Sequence, residues 1–133
     1  MSAVVDASLL VAASADAGAG GRWAESILLG GGLVAPDLVL VEATNTLRRL
    51  ELAGRISRVE AASAARDLLA LELELAPFAP FAERIWALRA TVSSYDAWYV
   101  AIAEELDLPL ATLDQRLAAA PGPRCRFVLP HTA

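Results

Sequence analysis

Ala3-Val4-Val5-Asp6 is an apolar run stopped abruptly by a carboxylate, and its reading decides the fold. A strand buried on both faces of a parallel sheet has this form, because nothing in it alternates between core and solvent. Working outward, a helical stretch begins near Ser8, and Ala17 to Gly21 breaks the pattern. Arg22 to Leu29 reads as a second helix ended by Gly30-Gly31-Gly32, which form a flexible turn. Leu33-Val34-Ala35 is a second short strand before Pro36, and Asp37 is placed to cap a helix that reaches about Ala53, with Gly54 as its stop. Ser57-Arg58-Val59-Glu60 has capping-box form, so another helix starts there. Leu71 to Leu75 alternates Leu and Glu at the period of a strand, although it abuts helical sequence. Pro80 opens a helix to about Arg89, and Ser93 or Ser94 caps the next, which runs to Leu106. Leu110 to Leu113 is a strand, Asp114 to Ala120 a short helix, and Arg126 to Leu129 a last strand. Strands separated by helices predict an α/β domain whose parallel sheet carries helices on both faces.

The chain has 133 residues, enough for one domain over 1–133 with a real core. At 56% hydrophobic residues it is more apolar than usual, so most of it must be packed. That excess in a small acidic protein also predicts an exposed apolar patch that a partner covers, whether a second copy or another protein. No apolar run approaches the ~20 residues of a membrane span, and Asp6 interrupts the run a signal peptide would need, so a cytoplasmic protein is expected. The single cysteine, Cys125, excludes an internal disulfide and is expected to be a buried small apolar residue. Trp23, Trp86 and Trp98 lie within helical patterns and are expected in the core or at an interface.

Every basic residue is arginine. The absence of lysine excludes Walker-type phosphate loops, Schiff-base enzymes and phosphoaspartyl sites. The one histidine, His131, stands three residues from the end of the chain, which argues against Ser-His-Asp or Cys-His catalysis. Chemistry must therefore rest on carboxylates. A net charge of −5 counts against nucleic acid as partner unless several acids converge on metal ions.

Four carboxylates stand in suggestive places. Ligands of open parallel sheets bind outside the carboxyl ends of the strands. Asp6 ends the first strand and Asp114 follows Leu110 to Leu113, so both belong on one rim, although either is equally at home as a helix cap. Asp96 opens a helix apolar almost all round, where Ser93 and the helix dipole would also favour an acid. Glu42 sits mid-helix in Leu38-Val39-Leu40-Val41-Glu42-Ala43, with Asn45 sharing its face and Arg49 a turn further, and a charge there is out of place unless it acts. A solvated helix face is the alternative. Gathered together, such groups would raise one another's pKa unless a cation held them. Mg2+ or Mn2+ prefers oxygen ligands, and can position a phosphodiester and activate water against it.

These segments resemble the PIN-domain family. Val5-Asp6-Ala7-Ser8 resembles its opening, Glu42-Ala43-Thr44-Asn45-Thr46-Leu47 its E-x-x-N-x-L segment, and Tyr95-Asp96-Ala97-Trp98-Tyr99-Val100-Ala101-Ile102-Ala103-Glu104 its most diagnostic stretch. Thr112-Leu113-Asp114-Gln115-Arg116-Leu117 resembles the motif after the fourth strand. Length and layout are similar to the VapC toxins of bacterial VapBC toxin–antitoxin systems. The resemblance implies a three-layer fold with a sheet of about five parallel strands, and a Mg2+- or Mn2+-dependent endoribonuclease. It implies Asp6, Glu42, Asp96 and Asp114 as catalytic metal ligands, with Ser8 and Thr112 supporting the site and Asn45 orienting Glu42. It further implies transfer or ribosomal RNA as substrate, a homodimer, and a small VapB-like antitoxin. Arg22, Arg48, Arg49 and Arg116 are candidates for RNA contact by position alone. Two other readings stand beside the toxin: a catalytically silent PIN-like binding module, and a PIN nuclease of RNA processing.

Overall fold

The computed structural model describes residues 2–130; His131 lies outside the described residues. Five parallel strands form one sheet: β1 (Ala3–Val5), β2 (Leu33–Pro36), β3 (Leu73–Ala76), β4 (Leu110–Ala111) and β5 (Phe127–Val128), in the order β3-β2-β1-β4-β5. The run that suggested a doubly covered strand is the centre of that sheet. Val4 pairs with Val34 on one side and Leu110 on the other, and all of β1 is buried. β3 is an edge strand, where Glu74 and Leu75 are both exposed, Leu73 is half-buried and Ala76 is buried, so the Leu/Glu alternation marks the strand without dividing it into a buried and a solvated face.

Helices α1 (Ala7–Ala15), α2 (Ala19–Leu29), α3 (Val39–Leu52) and α4 (Arg58–Ala70) pack on one another. A second group joins α5 (Ala82–Ala87), reached through a 3-10 turn at Ala79–Phe81, to α6 (Ser94–Leu106), which lies against β1 and β2. The sheet is thus the middle layer, and α7 (Gln115–Ala119) follows β4. Ala97 to Ala103 are all buried, which explains why α6 is apolar almost all round.

Several expected boundaries move. α2 starts at Ala19 rather than Arg22, taking in Gly20 and Gly21; a Cβ on Gly21 would lie 1.7 Å from the Asp16 carbonyl oxygen, so Gly21 admits the close approach of α2 to the end of α1. Asp37 does not cap α3: the cap is Leu38, without a side-chain bond. Leu71 caps α4, so β3 begins two residues late, and the helix expected to reach Arg89 ends at Ala87. Ser93, not Ser94, caps α6. The last two strands shrink to two residues each. The expected turn at Gly30-Gly31-Gly32 forms with Gly31 and Gly32 at φ 68° and 62°.

Trp98 is core, 6% exposed and edge-on to Phe78, and Trp23 packs partly against the core. Trp86 is not core: it is 67% exposed beneath the Arg89 guanidinium. Cys125 is a free thiol, half-buried rather than buried.

Candidate active site

The chain builds β1, β2 and β3 outward in one direction, then returns across the sheet to place β4 on the other side of β1. The loops leaving β1 and β4 therefore diverge, opening a crevice at the carboxyl ends of these two strands. Asp6 and Asp114 stand there, each the first residue past its strand or close to it.

Both ordinary expectations for these aspartates hold as well. Asp6 caps α1, its Oδ1 accepting from the Leu9 amide at 3.0 Å and from the Ser8 hydroxyl at 2.7 Å. Asp114 caps α7, accepting from the amides of Arg116 and Leu117 at 3.0 and 3.2 Å. One buried hydroxyl joins them: Thr112 donates to Asp6 Oδ2 and accepts from the Asp114 amide at 2.9 Å. Burial pushes the Asp6 carboxyl above its ordinary range despite the bonds from Thr112, Ser8 and Leu9, and the charge of Asp114 adds to the rise.

Asp96 enters from the first turn of α6, where Ser93 Oγ accepts its amide at 3.1 Å. Its carboxyl is raised by burial and by repulsion from Asp114 and Asp6. Glu42 comes from α3, and here one premise of the sequence reading is corrected. It lies in the first turn, not mid-helix, where the helix dipole tolerates an acid. Its carboxyl is raised too, by burial first and then by the charges of Asp96 and Asp6. Asn45, expected to orient Glu42, makes no bond to it. Tyr99 Oη donates to Glu42 Oε1 instead, at 3.3 Å.

All four carboxylates are thus drawn into one electrostatic neighbourhood. Among the described residues, no three His, Cys, Asp or Glu side chains close into a metal-holding cluster. Burial is the main cause of the raised carboxyls, and the charges of their acidic neighbours add to it. The donor chemistry nonetheless suits a hard divalent cation: the four carboxylates and the Thr112 and Ser8 hydroxyls supply oxygen donors, and added positive charge would relieve the repulsion among the acids.

The arginines distribute unevenly. Arg49 shares a groove of about 480 Å³ with Glu42, Asn45 and Tyr95. Arg116 opens α7 beside Asp114, whereas Arg22 donates to the Ala17 carbonyl at 3.2 Å and Arg48 is simply exposed. Sequence reading did not single out Tyr99. Its spacing three residues after Asp96 on a buried helix was the available signal. Burial, followed by the charges of Glu42 and Asp6, holds its phenol far above the ordinary value, so it remains a proton donor.

The parallel sheet carries its acidic rim at the switch point, and the comparisons show the class of domain this is. Residues 3–123 match the family model described as PIN domain. Ribonuclease VapC1 of Mycobacterium tuberculosis is 42% identical over 132 residues, spanning 95% of this chain and 96% of its own. The fold is shared with Mycobacterium tuberculosis VapC20, described as a sarcin-ricin loop cleaving toxin (TM-score 0.67, 20% identity, 89% and 94% of the two chains). It is shared too with VapBC2 from Rickettsia felis, bound to a DNA fragment from its promoter (TM-score 0.66, 14% identity, 97% and 98%). The chain belongs to the PIN-domain family, within its VapC ribonucleases.

Proposed function

We propose that the whole chain, residues 1–133, is one PIN domain acting as a metal-dependent endoribonuclease toxin, neutralised by a small VapB-like antitoxin. The observation that carries this reading is the electrostatic convergence of Asp6, Glu42, Asp96 and Asp114 at the switch point: the charge of Asp114 acts on Asp6 and Asp96, that of Asp6 on Glu42 and Asp96, and that of Asp96 on Glu42. These four would hold Mg2+ or Mn2+, which when bound supplies the positive charge that neutralises the carboxylates and polarises a phosphodiester. Thr112 keeps Asp6 and Asp114 in fixed relation, and Ser8 holds the second Asp6 oxygen. The N-termini of α1 and α6 point partial positive charge toward the rim, which suits an RNA phosphate. Arg49 and Arg116 flank the carboxylates and are the arginines placed to neutralise neighbouring phosphates of transfer or ribosomal RNA, which answers the net charge of −5 locally.

An apolar groove of about 360 Å³ between α1, α2 and α4, lined by Leu10, Leu28, Leu68 and Leu71 and rimmed by Glu25 and Asp67, supports an antitoxin segment as occupant. Exposed Leu38, which caps α3, and Val41 on it fit a homodimer contact. Among the described residues no helix is long and apolar enough to cross a membrane, and a cytoplasmic site of action belongs to the same reading.

The test is cleavage of total RNA by the purified protein with Mg2+, Mn2+ or EDTA, alongside Asp96→Asn. Discrete cuts are expected with metal only, at least 100-fold fewer in the variant, by the scale of a removed transition-state interaction (~3 kcal/mol). Equal cutting by the folded variant would overturn the reading. Growth arrest on expression, relieved by a co-expressed antitoxin, separates the toxin from a processing nuclease.

A further inference from the structure

Tyr99 is 1% exposed and among the largest fully buried side chains of the molecule, yet its one polar atom is directed at the acidic rim. The hydroxyl sits where three elements meet. It donates from α6 to Glu42 on α3, and the backbone of Ala7, at the start of α1, faces the same oxygen. Glu42 has no other hydrogen-bond donor for its carboxylate among the described residues. Its side chain leaves α3 far from Asp6 in sequence and on a different helix from Asp96, so its direction depends on what it meets inside the fold. At 3.3 Å the contact is longer than the usual ~2.8 Å of an O–H to oxygen bond.

We propose that Tyr99 is a positioning residue for the nuclease site, its buried hydroxyl orienting Glu42 toward the crevice occupied by Asp6, Asp96 and Asp114. The inference rests on the metal-site reading above. Groups that orient a metal ligand from behind change metal affinity by about 10- to 100-fold when removed. Because Tyr99 and Asp96 lie one turn apart on α6, any shift of that helix moves a carboxylate and the orienting group together.

The test is Mn2+ titration of the purified protein, read by the loss of the free-ion electron paramagnetic resonance signal. It compares wild type, Tyr99→Phe, Glu42→Gln and the double variant, with circular dichroism and melting curves as folding controls. Phe keeps the ring and removes only the hydroxyl. The expected result is that Tyr99→Phe weakens Mn2+ binding about ten-fold, and that adding it to Glu42→Gln changes nothing further. Unchanged affinity in folded Tyr99→Phe would overturn the inference, and so would an equal further loss in the Glu42→Gln background, since the hydroxyl would then act through another group. Absence of Mn2+ binding by wild type would instead sink the metal-site reading and this inference with it. Should Tyr99→Phe fail to fold, Tyr99→Trp, which keeps a buried ring with a donor differently placed, must weaken binding while Glu42→Gln abolishes any difference between it and wild type; a Trp variant binding as wild type refutes the role.

Discussion

At the scale of single residues, Thr112 decides most. It is wholly buried, donates to Asp6 and accepts from the Asp114 amide, so one hydroxyl ties the ends of β1 and β4. Valine has the same shape but neither polar role. Thr112→Val should cost about 2–3 kcal/mol, since it leaves a buried carboxylate and a backbone amide each short of a partner. Urea unfolding at neutral pH measures this, and a loss below about 1 kcal/mol would mean that water replaces the hydroxyl. The motif around Asp114 placed Thr112 near the site from the sequence, but Asp6 lies 106 residues away from it and only the folded sheet brings the two together.

At the scale of elements, the second helix group is pinned by one ion pair. Arg84 on α5 donates Nε and Nη2 to Glu104 on α6, at 2.7 and 3.0 Å, and also reaches the Gly122 carbonyl at 2.9 Å. Glu104 in turn accepts from the Arg124 amide at 2.7 Å. Burial pushes the Glu104 carboxyl up, but the bonds from Arg84 and the Arg124 amide outweigh it and hold the group below its ordinary value. Together these bonds fasten the segment leading into β5. Arg84→Gln should cost about 1 kcal/mol, in keeping with a partly exposed bidentate pair. It should speed hydrogen exchange at Arg124 and Phe127 while leaving RNA cleavage unchanged. Uniformly faster exchange would place Arg84 in the global core instead. Strand alternation in β3 and the Ser57 capping box were legible in the sequence because they are local patterns; the Arg84–Glu104 pair was not, since neither residue has a periodic or capping signature.

At the scale of the molecule, the acidic rim sets stability against function. Burial, and then the charges of Asp114 and Asp6, raise the Asp96 carboxyl above 3.8. A raised carboxyl holds its proton more tightly folded than unfolded. Its stabilising contribution is therefore full below about pH 3.8 and is lost as pH climbs through the raised folded value. Asp6 and Glu42 add in the same sense. In EDTA at pH 7, Asp96→Asn should melt above wild type, and the gap should close below pH 3.8. Added Mg2+ or Mn2+ should then stabilise wild type more than the variant, through preferential binding to the folded state. A variant that melts below wild type at pH 7 would show that the charge is already satisfied by its surroundings.

The sequence by itself determined the alternation of strands and helices, the buried first strand and the family, and it singled out the four carboxylates as candidates, because each is written in short-range pattern or in motifs a few residues long. It did not determine the strand order, which places β4 beside β1 and so turns Asp6 and Asp114 into neighbours. Nor did it show that Tyr99, rather than Asn45, meets Glu42. Both are matters of long-range packing: a residue's local pattern fixes which way it faces on its own element, while the partner it meets depends on how all the elements are stacked.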